Sequence, residues 1–169
     1  VLVLRGMRTD VPVAASGAPE IVSPVTGTVV PLRDVPDATF AEGILGQGVA
    51  VQPTVGKVVA PCAAVVSMLN EAHHAVGLTL EGGAELLIHV GLNTVELAGE
   101  GFMPLVREGD RVQKGQTLLQ FDKDFLESKG YKTVVPVIVT NSDDYDAVEG
   151  IAEGEVTALE PLLEVKAHG

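Results

Sequence analysis

The sequence predicts an all-β fold, an antiparallel β-sandwich or barrel with a duplicated motif and at most short helical turns. Three observations carry that expectation. Valine, leucine and isoleucine gather in short clusters instead of recurring at helical spacing, and β-branched clusters of that length are strands. Nineteen glycines and ten prolines separate them as turn residues. A weak internal echo aligns Ser23-Pro24 with Ala60-Pro61, Val29 with Val66 and Leu32 with Leu69, which suggests two similar half-structures closing over one core.

In chain order, Val1 to Pro19 lacks periodicity and ends in a linker-like AASGAP, so a flexible arm is expected there. Residues 20–166 then form one domain, since 169 residues do not comfortably divide into two. EIVSPVTGTVVPL (20–32) reads as strand, turn and strand, and DVPDATFA (34–41) as a polar loop or short helical turn carrying Phe40 towards the surface. EGILGQGVAVQP (42–53) ends in a glycine-flanked strand. The segments 74–80 and 84–90 flank a Gly82-Gly83 pair and form a hairpin. VREGDRVQKGQTLLQF (106–121) alternates around two turns, and Asp122 caps the single helical stretch, 122–129. VVPVIVT (134–140) is a strand whose Pro136 marks an edge or bulge, and 154–165 supplies a closing strand pair.

Composition excludes several functions. A net charge of −12 with no Lys/Arg cluster argues against binding nucleic acid. No apolar run approaches the length of a membrane-spanning helix, so no direct membrane insertion and a cytoplasmic location are expected. Cys62 is the only cysteine, which rules out an intrachain disulfide, and its valine-rich setting reads as a core position. No nucleophile elbow or Gly-rich phosphate loop is present. A biotinyl or lipoyl carrier, which the REGDRVQKGQTL segment suggests, would need a lysine at a hairpin tip, and the tip here is Gly82-Gly83.

The chemistry concentrates in the hairpin. With the turn centred on Gly82-Gly83, His89 faces Val76 and has His74 as a diagonal neighbour on the same face, about 7–8 Å away. A slip of one residue would substitute His73. Two imidazoles open at one surface suit phosphoryl transfer through a labile P–N bond. They also offer two zinc ligands, one or two short of the usual number, so no metal or other cofactor is required.

The blocks HHAVGL, GGAELLIHVGLNTVELAGEGF, VREGDRVQKGQTLLQFD and VPDATFAEGILGQGVAVQP closely resemble the glucose-type IIA component (glucose permease IIA domain) of the bacterial phosphoenolpyruvate-dependent sugar phosphotransferase system. The resemblance runs from about Glu20 to Val165 and implies a β-sandwich with a shallow apolar depression around two histidines. It implies that His89 accepts a phosphoryl group at Nε2 from the phosphocarrier HPr and passes it to a cysteine of a IIB domain, with His74 contacting the phosphate and Gly91 and Asn93 beside it. It further implies a docking surface of Phe40, Ile44, Leu45, Val49, Leu87 and Val95 with Glu96 at the rim, regulatory protein targets, and zinc at His74 and His89 when a partner supplies a carboxylate. Two positions depart from the pattern: Ala72 stands where threonine is usual and Asn93 where aspartate is.

Overall fold

The computed structural model describes residues 20–167; the expected arm, 1–19, and His168 lie outside them. Fourteen strands make three antiparallel sheets. In chain order they are β1 (Glu20–Val22), β2 (Gly27–Pro31), β3 (Gln47–Pro53), β4 (Lys57–Val59), β5 (Ala64–Leu69), β6 (Ala75–Leu80) and β7 (Glu85–His89). They continue as β8 (Phe102–Pro104), β9 (Arg111–Val112), β10 (Thr117–Phe121), β11 (Val135–Val139), β12 (Tyr145–Gly150), β13 (Glu155–Val156) and β14 (Pro161–Ala167). Two short helices, α1 (Ala38–Ala41) and α2 (Lys123–Ser128), complete the described fold with three turns of 3-10 helix. Each α-helix begins at an aspartate: Asp37 accepts from the Thr39 N–H and Asp122 from the Phe125 N–H, both at 3.0 Å.

The main sheet has the order β9-β5-β6-β7-β11-β3-β2-β13. It is symmetric about its centre: a two-residue strand at each edge, then β5 or β2, then β6 or β3, with β7 and β11 meeting in the middle. The sequence echo between 23–32 and 60–69 falls on β2 and β5, the matching strands of the two halves. Two smaller sheets, β4-β10-β8 and β12-β14-β1, supply the facing layer. The principal core lies between the layers: Val51, Val76, Ile88 and Val137 from the main sheet meet Val58, Leu119, Leu163 and Val165 from the smaller ones. A second, smaller core covers the opposite face, where Phe40, Leu32, Val35 and Leu92 pack over Ala50 and Ile138. Alternation along β11 explains the division, since Val137 and Val139 point into the first core and Ile138 into the second.

Two expectations are corrected here. Pro136 sits neither on an edge strand nor at a bulge: β11 is central, paired with both β3 and β7. The missing N–H is accommodated because pairing to β7 begins only at Val137. The segments 155–156 and 161–167 do not pair with each other; β13 joins β2 and β14 lies between β1 and β12.

Ile88 has no exposed surface and lies between layers. Ile88→Ala should cost about 2–5 kcal/mol, the range for deleting a fully buried branched side chain. Urea unfolding should show this as a lower midpoint at unchanged slope; an unchanged midpoint would mean the layers do not pack there.

Candidate functional site

The hairpin closes differently from the sequence expectation, and the difference moves the histidines. Leu80 N–H bonds to the Ala84 carbonyl at 2.8 Å and Gly83 N–H to that of Leu80 at 2.9 Å, so the loop is three residues, Glu81 to Gly83, with Gly82 and Gly83 at φ 106° and 104°. The register is therefore one residue short of that expected: His89 faces Ala75 and Ile88 faces Val76. His74 precedes the first residue of β6 and holds the end of the hairpin through its carbonyl, which accepts from the Val90 N–H at 2.7 Å. Just before it, His73 takes a left-handed φ of 62°, which ends strand alternation and keeps His73 out of the pair.

His74 and His89 do come together, but not from one face. The His89 ring packs on Phe40, of the smaller core, with centroids 5.0 Å apart; the His74 ring packs near Phe102, of the principal core, at 6.4 Å. They meet across the end of the hairpin with centroids 4.7 Å apart, edge to face at 81°. Nor are both rings open, as the sequence led one to expect. His74 is 4% exposed, whereas His89 is only partly buried.

The protonation of His89 follows from one contact. Its Nδ1 lies 2.8 Å from the Gly91 carbonyl oxygen. A carbonyl only accepts, so Nδ1 carries the proton and the neutral ring keeps its lone pair on Nε2. Gly91 can supply that carbonyl because it is glycine: its φ is 79°, and a Cβ would come within 2.6 Å of Thr94 Cγ2 and 2.8 Å of the Lys132 carbonyl oxygen. Thr94, fully buried, secures the same turn by donating to the Val90 carbonyl at 2.6 Å. Asn93 adopts φ 61°, a conformation asparagine tolerates, and makes no capping bond.

Both rings are held neutral. Burial pushes the His74 pKa down to about 4, with the neighbouring His89 adding to the effect. Burial also lowers that of His89, partly offset by the Gly91 carbonyl and by the charge of Asp37. A neutral imidazole with a free Nε2 is a nucleophile or a metal ligand and cannot act as a cationic anchor.

Of the expected docking set, Ile44, Val95 and Leu45 are 67%, 56% and 37% exposed, Ile44 and Leu45 on the segment between α1 and β3 and Val95 shortly after His89 in the chain. Glu96 stands beside them, its carboxylate accepting from the Tyr131 hydroxyl at 3.0 Å. Leu87 is half-buried. Phe40 and Val49 differ from the expected surface set: both are buried, Phe40 beneath the His89 ring and Val49 in the principal core. Their helix and strand positions face inwards, and of the two Phe40 is the one in contact with a site histidine. Sequence reasoning missed Asn70, whose side chain touches the His74 ring, and Tyr131; Asn70 directly follows a strand, where a turn residue attracts no notice. Cys62 is half-buried at the other end of the hairpin, its thiol pKa raised by burial, and takes no part.

The His74 shift has a stability consequence. A histidine neutral when folded and ordinary when unfolded makes the unfolded state the greater proton binder between about pH 6.5 and about 4. Stability present above pH 6.5 is lost as pH falls through that window. In denaturant titrations His74→Gln should lose less stability than the parent between pH 7 and 4, by on the order of 1–3 kcal/mol; parallel curves would contradict a neutral buried His74.

Comparison with known proteins identifies the family and the fold. The family model described as phosphoenolpyruvate-dependent sugar phosphotransferase system, EIIA 1, matches residues 19–145. The chain is 45% identical over 158 residues to the PTS system glucose-specific EIIA component of Halalkalibacterium halodurans, covering 92% of this chain and 91% of that protein. It is 47% identical over 145 residues to the PTS system beta-glucoside-specific EIIBCA component of Dickeya chrysanthemi, covering 86% of this chain and 23% of that one. It thus spans less than a quarter of the length of such EIIBCA relatives. The solved glucose permease IIA from Mycoplasma capricolum matches with a TM-score of 0.76 at 28% identity, over 87% of this chain and 95% of that one. The chain belongs to the EIIA 1 family of the phosphoenolpyruvate-dependent sugar phosphotransferase system.

Proposed function

We propose that this chain is a phosphohistidine carrier in sugar uptake and phosphorylation, with His89 as the acceptor, phospho-HPr as the donor and a cysteine of a IIB domain as the recipient. The observation that carries the proposal is the Nδ1 bond of His89 to the Gly91 carbonyl, 2.8 Å long, which leaves Nε2 with its lone pair. That lone pair forms a P–N bond as the donor's own bond to phosphorus breaks, and the electron pair returns to the donor. In the second transfer the P–N bond at His89 breaks as the IIB thiolate sulfur bonds to phosphorus. In this reading the imidazole of His74 hydrogen-bonds a phosphoryl oxygen, a role supported by its ring centre lying 4.7 Å from that of His89.

The surroundings support the partners. Ile44, Leu45 and Val95 offer an exposed apolar seat, and a net charge of −12 favours approach of a basic carrier. Relatives named EIIBCA components support a IIB recipient. No described helix is long and apolar enough to cross a membrane, which accords with action in the cytoplasm. Regulatory proteins seating on the same exposed apolar side chains are part of the proposal.

Zinc at His74 and His89 is proposed only with a ligand donated by a partner. Among the described residues no group of three or more His, Cys, Asp or Glu side chains converges to hold a metal, and two imidazoles alone fall short of a tetrahedral site. The isolated protein dialysed against zinc should retain less than one equivalent by elemental analysis; a tightly held equivalent would overturn this.

Incubation with phosphoenolpyruvate, enzyme I and HPr should give one acid-labile, base-stable phosphoryl group per chain, located on His89 by mass spectrometry. His89→Ala should take up none. Equal labelling of the variant and the parent would refute the assignment.

A further inference from the structure

Among the described residues the buried polar side chains are Ser23, His74, Thr94 and Thr133. Ser23 bonds within its own turn, to Val25, and His74 and Thr94 belong to the histidine site. Thr133, 2% exposed, joins segments distant in sequence. Its Oγ1 donates to Glu127 Oε2 of α2 at 3.0 Å and accepts from Gln52 Nε2 of β3 at 2.9 Å. The direction of both bonds is set by chemistry. A carboxylate only accepts, so the hydroxyl proton goes to Glu127, and the Gln52 amide must turn its NH2 towards the remaining lone pair. Lys123 stands 3.0 Å from the same carboxylate oxygen and, with the Thr133 hydroxyl, holds Glu127 below its ordinary pKa. A run of four side chains therefore ties α2 to a central strand of the main sheet.

Thr133 lies between the two carbonyls that support the acceptor turn. The Lys132 carbonyl accepts from the Leu92 N–H at 3.1 Å, and the Val134 carbonyl from the Gly91 N–H at 3.0 Å. Approach is close enough that a Cβ on Gly91 would come within 2.8 Å of the Lys132 carbonyl oxygen. Movement at 133 thus moves both supports of Gly91, whose own carbonyl receives His89 Nδ1. The Tyr131 N–H bonds to the Leu126 carbonyl at 3.1 Å, so α2 grips this segment at two points.

We infer that Thr133 is a positioning residue: by bridging α2 to β3 it fixes the carbonyls of Lys132 and Val134, and through them the Gly91 carbonyl that keeps the His89 proton on Nδ1. It acts through the backbone and touches no reacting atom. The inference rests on the proposed transfer for its purpose, though not for its geometry.

Thr133→Val keeps nearly the same shape and removes both side-chain bonds. Nitrogen-15 NMR of the imidazoles, on unphosphorylated protein at neutral pH, reads the His89 tautomer without any phosphoryl donor. The parent should carry the His89 proton on Nδ1, and Thr133→Val should show a mixture of tautomers. Transfer from saturating phospho-HPr to His89 should slow about tenfold in this variant, less than the roughly hundredfold that an ångström of misplacement can cost. The half-saturating concentration of phospho-HPr should not change, because the exposed Ile44, Leu45 and Val95 are untouched. Thr133→Ser keeps the hydroxyl and should behave as the parent in both measurements. Glu127→Ala removes the acceptor from an exposed position on α2 and should mix the tautomers in the same sense, which decides the matter should Thr133→Val fail to fold. Parent-like tautomers and rates in Thr133→Val and Glu127→Ala, even with a lowered unfolding midpoint, would overturn the inference. So would a loss in Thr133→Ser as large as that in Thr133→Val. Failure of labelling at His89 in the parent would instead overturn the proposed function and leave the tautomer comparison standing.

Discussion

The site depends on a single hydrogen bond, that from His89 Nδ1 to the carbonyl of Gly91, two residues on. For a side chain to reach its own backbone at that distance, the chain must turn sharply just past the strand. Gly91 does so at φ 79°, where any Cβ would strike Thr94 and the Lys132 carbonyl. The bond decides which nitrogen carries the proton and which keeps its lone pair, and fixes the plane of the ring. Thr94, donating to the Val90 carbonyl, and the Gly91 N–H, donating to that of Val134 at 3.0 Å, keep the turn from relaxing. Chemistry at Nε2 is therefore set by backbone conformation at a residue without a side chain.

Burial does the rest. An imidazolium in the place of His74 would have to shed its hydration with no carboxylate near enough to compensate, and the ring stays neutral down to about pH 4. His89 is drawn the same way, with Asp37 and the Gly91 carbonyl pulling against it. Two neutral rings in edge-to-face contact do not repel, which two cations at 4.7 Å would. Under the proposed function, the negative charge of an arriving phosphoryl group would change that balance by favouring a proton on the ring behind.

Much of the site was legible in the sequence because its parts are local. A histidine in LLIHVG occupies a strand end, a second follows a turn, and the Gly-Gly pair joins them. The exact register was not legible: a two-residue loop and a three-residue loop share the same glycines, and only the Leu80–Ala84 closure distinguishes them. Strand alternation then gave the correct partner for an incorrect reason. The left-handed turn at His73 cancels one residue of slip, and the rings meet around the end of the hairpin instead of across its face. The burial of Phe40 and Val49 depends on contacts between segments distant in sequence, for which no short pattern exists; Asn70 lies only four residues before His74, but their contact depends on the left-handed turn at His73. Pro136 misled because its tolerance in a central strand depends on where β7 stops pairing.

The position of His89 in the sheet gives the duplication a functional sense. β7 and β11 are the innermost strands, one from each half, and they pair through Ile88 and Val137 in the middle of the molecule. His89 is the last residue of β7, and the chain that leaves it is tied at once to the segment leading into β11, through Gly91 to Val134 and Leu92 to Lys132. The site therefore stands on the seam between the halves, where the strands on either side are fully paired and opening requires separating both. Groups that must receive and release a ligand without rearranging gain from such rigid support. Ile44, Leu45 and Val95, exposed and apolar, lie on segments that connect the strands. His89 thus ends a paired strand while Ile44, Leu45 and Val95 lie outside the strands, so those exposed positions can vary in sequence without disturbing the hydrogen bond that leaves the Nε2 lone pair free.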